Sequence, residues 1–346
     1  MINKRYLTGK NFIFAIFILA LLLILPKISG ILMLFFAAYV LACALNPYVT
    51  KLTSKMKRTL ASSLVVFTSI LVILAILVPI FFVAFKEIKT FAMTLPDKIT
   101  ELTNYILNTE FYGHRIPEFF DADSVFNNSQ SFAQGFLSHS ISITAGIVQV
   151  GVIVVALTMI VYYILVDKSY LKKKFLEFFP PDLKEKATKI LSTISSKVGA
   201  YVRAQILSMA AVGVMMWIVL LILGVEYSTL LGLISGVLDI IPILGPSIAL
   251  GVILLIAYPL GWVKLILVIL GFLAVQQISN YVVRPFLFGK MMALHPLMIF
   301  LALFLAQQFL GFWGVILSPA IAATVCVLID ELYIIPINLK TKENDE

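Results

Sequence analysis

Of the eighteen acidic side chains, Asp239 alone lies well inside a hydrophobic segment, in the run Asp239-Ile240-Ile241-Pro242-Ile243-Leu244-Gly245-Pro246. Two prolines and a glycine there break the backbone beside a carboxylate. An unpaired carboxylate at mid-bilayer costs at least ~2.5 kcal/mol, so it must face protein, water or a cation. Burial favours its protonated form and a neighbouring cation its ionised form, which suits it to bind a proton or a coupling cation. It also has a purely structural use: a carboxylate at this place can cap the helix that starts after Pro242 or Pro246 by accepting freed backbone N–H groups. One side chain can do both.

A second polar set, Gln276, Asn280 and Arg284, recurs at i, i+4, i+8 and so shares one helix face, with Gln277 beside it. Interhelical hydrogen bonding, worth ~0.6 kcal/mol a pair, is the ordinary use of such a stripe. Gln307 and Gln308 sit a few residues before the glycine pair Gly311 and Gly314, where paired amides beside a broken helix offer donors and acceptors to a polar solute. Together with Asp239, Pro242, Gly245 and Pro246, these residues form the expected transport pathway. Arg203 and Gln205 open the preceding span, where a snorkelling arginine is the usual explanation. Gly232 and Gly236 read as a close helix contact.

Enzymatic readings find little support. His114, His139 and His295 lack partners at metal-binding spacing, and Cys43 and Cys326 lie singly in apolar runs. There is no nucleotide-binding loop, nucleophile elbow or intramembrane pair of carboxylates. No cofactor or metal is expected beyond a coupling H+ or Na+.

The elements that must position these residues are membrane helices. The chain is 61% hydrophobic and 13% charged, against about a quarter charged in soluble domains. Runs such as Phe12 to Leu25, Ile28 to Leu45, Leu60 to Phe85, Ile141 to Val166, Ala204 to Leu223 and Leu265 to Val283 approach the ~20 residues that cross ~30 Å of hydrocarbon. Pro26-Lys27 reads as a tight turn between the first two, and no small-residue cleavage pattern follows Leu25. The expected class is therefore an all-α polytopic membrane protein.

Charge sets the expected orientation. Lys51, Lys55, Lys57 and Arg58 follow the second span, and Asp167 to Ala200 holds eight lysines against four acidic residues. Both segments belong on the cytoplasmic side, as does the N-terminus with Lys4, Arg5 and Lys10. Lys86 to Ser140, with four basic and seven acidic residues, reads as a partly helical extracytoplasmic insert. The excess positive charge thus reports orientation and anionic lipid, especially at Lys172-Lys173-Lys174, and not nucleic acid.

Ser228 to Pro259 and Leu297 to Ile329 are each too long for one simple span and each is broken near its centre. As re-entrant hairpins they give six full spans plus two hairpins; as kinked spans they give eight. Charge bias favours hairpins, and a span followed by a hairpin, repeated in inverted sense, would place a substrate site near the midplane. The expected organisation is a three-span unit (1–85), the insert (86–140), a fourth span with a cytoplasmic amphipathic linker (141–200), a transport core (201–330) and a cytoplasmic tail (331–346).

These motifs resemble the autoinducer-2 exporter family of bacterial membrane transporters. The likeness rests on Asp239 to Pro246, Arg284-Pro285, Gly289-Lys290, Leu294-His295-Pro296, Gly311-Phe312-Trp313-Gly314 and Ser318-Pro319, and it covers most of the chain. Where relatives tend to carry glycine before the phenylalanine-glycine pair, this chain has Gln307 and Gln308. The resemblance implies a permease of the bacterial cytoplasmic membrane that works as a homo-oligomer. Family roles include export of autoinducer-2, exchange of Na+ or Li+ for H+, and association with sporulation. Three functions are therefore carried forward: an ion-coupled permease for a small solute, a cation/proton antiporter, and a membrane scaffold in envelope or spore assembly.

Overall fold

The computed structural model describes residues 9–75, 151–241, 244–289 and 296–335, with isolated positions between 78 and 115. Most of the expected extracytoplasmic insert, and Pro242, lie outside the described residues. Helices dominate. The exception is a two-residue antiparallel pairing, β1 (Glu110–Phe111) with β2 (His114–Arg115), which matches Glu110 to Arg115.

Five helices are long and apolar enough to cross a bilayer, and a bent pair makes a sixth. This is a polytopic helical membrane protein. It divides into two compact units, residues 1–58, 157–199 and 293–346 in the first and 59–156 and 200–292 in the second.

In the first unit, α1 (Gly9–Leu52) is one continuous helix of 44 residues, about 66 Å long at 1.5 Å per residue. The turn expected at Pro26-Lys27 is not made. Proline is tolerated inside membrane helices, and apolar sequence on both sides lets the helix run on; the part that qualifies as a span is Ile28–Leu52. A Cβ added at Gly199 would overlap the Cys43 carbonyl, so α1 and α5 (Lys184–Ile222) touch backbone to backbone at that crossing. Arg58, which opens α2 (Arg58–Ala75), donates from Nε to the Leu165 carbonyl at 2.7 Å, satisfying one of the orphan acceptors at the end of α3 (Gly151–Val166).

The segment expected as a cytoplasmic linker followed by a span is a single helix. α5 begins in the first unit and ends in the second, over 39 residues. Its second half packs with three other elements around Val212, Met216, Leu220, Leu231, Ile253 and Phe272.

Those elements are α6 (Ser228–Leu238), α7 (Leu244–Ala257) and α8 (Trp262–Ile278). At 11 and 14 residues, α6 and α7 are each too short to cross ~30 Å. They fold back on each other because Gly245 presses on the Leu238 carbonyl, where any Cβ would collide with backbone. The segment also starts and finishes at one level: a Cβ at Gly224, just before α6, would lie 3.9 Å from Lys264 Nζ, just after α7. Residues 228–260 are therefore a re-entrant hairpin, not a kinked span.

The second interrupted segment also reverses. In α10 (Pro296–Ile329) Gly311 takes φ 61°, ψ −148°, and a Cβ at Gly314 would overlap the Ala306 carbonyl eight residues earlier. Eight residues of straight helix would separate those atoms by about 12 Å. The arms are unequal, since Trp313–Ile334 is long enough to span by itself. Pro319 in that arm has no N–H for the Val315 carbonyl, and Ser318 Oγ donates to it instead at 2.8 Å.

Candidate functional site

The tip of the α6–α7 hairpin brings Asp239 against two long helices. Asp239 follows α6 in helical geometry, its N–H donating to the Ser235 carbonyl at 3.1 Å. It lies 12 residues past Tyr227, about 18 Å at 1.5 Å per residue, which is mid-depth for ~30 Å of hydrocarbon. Ser208 lies 14 residues before the end of α5, about 21 Å by the same measure, and the two meet: Ser208 Oγ donates to Asp239 Oδ2 at 3.3 Å.

Close packing makes this approach possible. Gly213 on α5 faces Gly232 and Gly236 on α6; a Cβ at Gly236 would stand 2.7 Å from the Met209 carbonyl and one at Gly232 would stand 2.9 Å from that of Gly213. Small residues draw the two backbones together, one turn from Asp239.

The opposite charge comes from Arg284, whose Nη2 donates to Asp239 Oδ1 at 2.8 Å. The carboxylate side chain is 0% exposed and the arginine side chain 34%. Arg284 opens α9 (Arg284–Phe288) directly after a π-helical turn, Ser279–Val283, that continues α8. Pro285 explains the turn: its ring would strike the Tyr281 carbonyl in an α-helix, and widening the helix moves that carbonyl away. A second π turn, Asp330–Ile334, ends at the same distance before Pro336 in the sequence. Helical side chains tilt toward the N-terminus, so Arg284 reaches back along α8 to the hairpin tip.

Two further contacts close the shell. Gln205 Nε2 donates to the Asp239 main-chain carbonyl at 3.3 Å, and the Tyr201 hydroxyl donates to Gln205 Oε1 at 3.3 Å. The Tyr201 ring lies 5.6 Å from that of Phe288. Among the described residues, then, the Asp239 carboxylate bonds across helices and not to the N–H groups that open α7, so capping is not its use here. Mutual attraction and these hydrogen bonds offset the several kcal/mol that each buried ion loses in hydration.

The other predicted residues fall in different places. Gly245 makes the turn, and Pro246 sits in the first turn of α7, where its missing N–H costs nothing. Gln276 is half-buried, whereas Asn280 is exposed. The buried face of α8 and its π turn is instead Val268, Phe272, Val275 and Ser279, and Ser279 Oγ has no hydrogen-bond partner. Gln307 and Gln308 are both exposed on the short arm of α10, whose buried face is Leu303 and Ala306. Ser208 and Tyr201 were missed as site residues, although Tyr201, Gln205 and Ser208 at i, i+4, i+7 form a polar stripe that sequence could have shown.

A hairpin tip with a buried ion pair at mid-depth is the arrangement that membrane transporters use to hold polar groups in an apolar setting, and the relatives agree. "Putative transport protein YueF" of Bacillus subtilis is 26% identical over 311 residues, 87% of this chain and 84% of that protein. "Putative permease PerM" of Escherichia coli is 25% identical over 318 residues, 87% of each. "Putative transport protein YrrI" of Bacillus subtilis is 27% identical over 206 residues, and there the match spans 60% of this chain and 58% of the relative. The model of the AI-2E family of transporters matches residues 12–334. Because that match runs through the hairpin, the Arg284 turn and the Gly311 reversal alike, the chain belongs to the AI-2E transporter family.

Proposed function

We propose that this permease-type protein is a secondary transporter in which Asp239 binds the coupling proton or cation and Arg284 is its counter-charge. The observation behind the reading is the 2.8 Å pair between a wholly buried carboxylate and a partly exposed guanidinium at the tip of a re-entrant hairpin. Protonation of Asp239 removes the charge that holds Arg284, which frees the tip to move and leaves a guanidinium able to engage a polar solute. Return of the proton restores the pair. Loading and unloading of one carboxylate are thus linked to two positions of the hairpin, which is what alternating access needs.

The solute in this reading is small and polar, of the autoinducer-2 kind, with Gln276 beside its route. Asn280, Gln307 and Gln308 are exposed on the single chain, and we assign them to the route in a homo-oligomer, where such faces meet another copy. A cation/proton antiporter is the second reading. It is favoured by the complete burial of the Asp239 side chain, which suits a bare ion better than an organic solute.

The test is decay of an imposed pH gradient in proteoliposomes on adding Na+ or Li+, comparing the wild type with Asp239→Asn. Cation-driven decay that the substitution abolishes supports exchange at Asp239. Silence with cations, followed by proton-linked autoinducer-2 efflux that the substitution abolishes, supports the solute permease. Undiminished activity of a folded Asp239→Asn protein in both assays would overturn the coupling role.

A further inference from the structure

After α3 the chain turns by 74° into α4 (Lys168–Leu176), a nine-residue helix with no buried residue. If α3 stands along the bilayer normal, α4 lies about 16° from the membrane plane, less than the ~20° by which spans commonly tilt. It begins directly where an apolar helix leaves the hydrocarbon. Its two faces differ in chemistry.

At 100° per residue, Leu171, Phe175 and Phe178 at i, i+4, i+7 fall within one narrow stripe. They are 45%, 46% and 86% exposed. The Phe175 ring is steadied by Phe179, with centroids 5.4 Å apart. Lys174 flanks the stripe on one side and Lys168 and Lys172 on the other, while Ser169, Lys173 and Glu177 occupy the opposite face. Lys174 also pairs with Glu177 at 3.0 Å, but both are exposed and such a surface pair holds weakly. Lys168 is half-buried, within electrostatic reach of Arg58 and Lys172. An apolar stripe edged by lysines is the pattern of a helix that lies in a lipid headgroup layer.

We infer that α4 with Phe178 is an interfacial anchor, its Leu171-Phe175-Phe178 stripe sunk into the acyl boundary of one leaflet and its lysines neutralised by anionic lipid phosphates. Charge complementarity selects this occupant: three lysines border the stripe, and a leaflet containing phosphatidylglycerol supplies phosphates at the depth of the helix while its acyl chains cover the rings. The anchor lies between α3 and the long α5, so it ties the orientation of both to the leaflet surface. This inference stands independently of the coupling role of Asp239.

The experiment places single spin-labelled cysteines at Leu171, Phe178 and Lys173 in the full chain, with Cys43 and Cys326 replaced by alanine, reconstituted in nanodiscs. The ratio of oxygen to nickel-chelate accessibility is expected to be at least about threefold higher at 171 and 178 than at 173. Equal ratios would overturn the inference, as would spin–spin broadening at 178, which would put a second copy of the chain on the stripe. The unlabelled wild type supplies a second readout. Its unfolding midpoint is expected to rise when phosphatidylglycerol replaces part of the phosphatidylcholine, and K168Q/K172Q/K174Q to remove the rise. A wild-type midpoint indifferent to phosphatidylglycerol would overturn the anionic-lipid assignment.

Discussion

Asp239 and Arg284 belong to a class of interaction whose removal is worse than its replacement. Deleting one partner of a buried pair strands the other charge, at about 3–5 kcal/mol, whereas replacing both by uncharged groups costs far less. Arg284→Ala should therefore lower the unfolding free energy by about that amount. Asp239→Asn combined with Arg284→Gln should recover most of the loss, and a double-mutant cycle in detergent or lipid discs measures the coupling directly. Ser208→Ala, which removes a 3.3 Å contact to Oδ2, should cost about 1 kcal/mol. The sequence made Asp239 conspicuous and placed Arg284 on a candidate face, but it did not join them, because the two lie 45 residues apart.

At the scale of elements, glycine and proline decide the geometry. Gly245 and Gly314 each press on a carbonyl of the returning arm, so Gly245→Ala or Gly314→Ala must push backbone apart, an overpacking cost of about 1–3 kcal/mol. Both should show depressed thermal midpoints, while Gly251→Ala, at a glycine with open space around it, should be neutral or slightly stabilising. Pro285→Ala tests the π turn. With an N–H restored, the helix can return to α-geometry and rotate Arg284 away from the hairpin tip, so the Asp239–Arg284 coupling energy should collapse in that background. These breaks were legible as breaks. The π turn was not, and it is why the face expected to carry Asn280 carries Ser279: one extra residue in a turn rotates the helix by about 100°.

For the molecule as a whole, the decisive topological fact is that residues 228–260 leave and return at one level. Single cysteines at Glu226 and Lys264, in a background without Cys43 and Cys326, should react with an impermeant reagent from the same side of sealed cells. Labelling from opposite sides would restore the kinked-span topology. The continuous α5 joins the two compact units through one 39-residue helix, where charge and hydropathy led us to expect a linker followed by a span. Hydropathy changes when a helix leaves the membrane, but hydrogen bonding within the helix does not, so composition marks the boundary of the bilayer and not the end of the element.

What the sequence determined by itself was local or additive. Apolar content made this a helical membrane protein, glycines and prolines marked both reversals, and a lone intramembrane carboxylate marked the site, since each follows from the cost of unpaired backbone or charge in hydrocarbon. The tertiary structure decided which groups satisfy that charge. Ser208 and Arg284 reach Asp239 from 31 and 45 residues away, through a glycine-lined crossing and a π turn whose combined effect no helical periodicity encodes. It also decided that α1 and α5 run on through expected breaks, because a helix ends only where its backbone finds other partners.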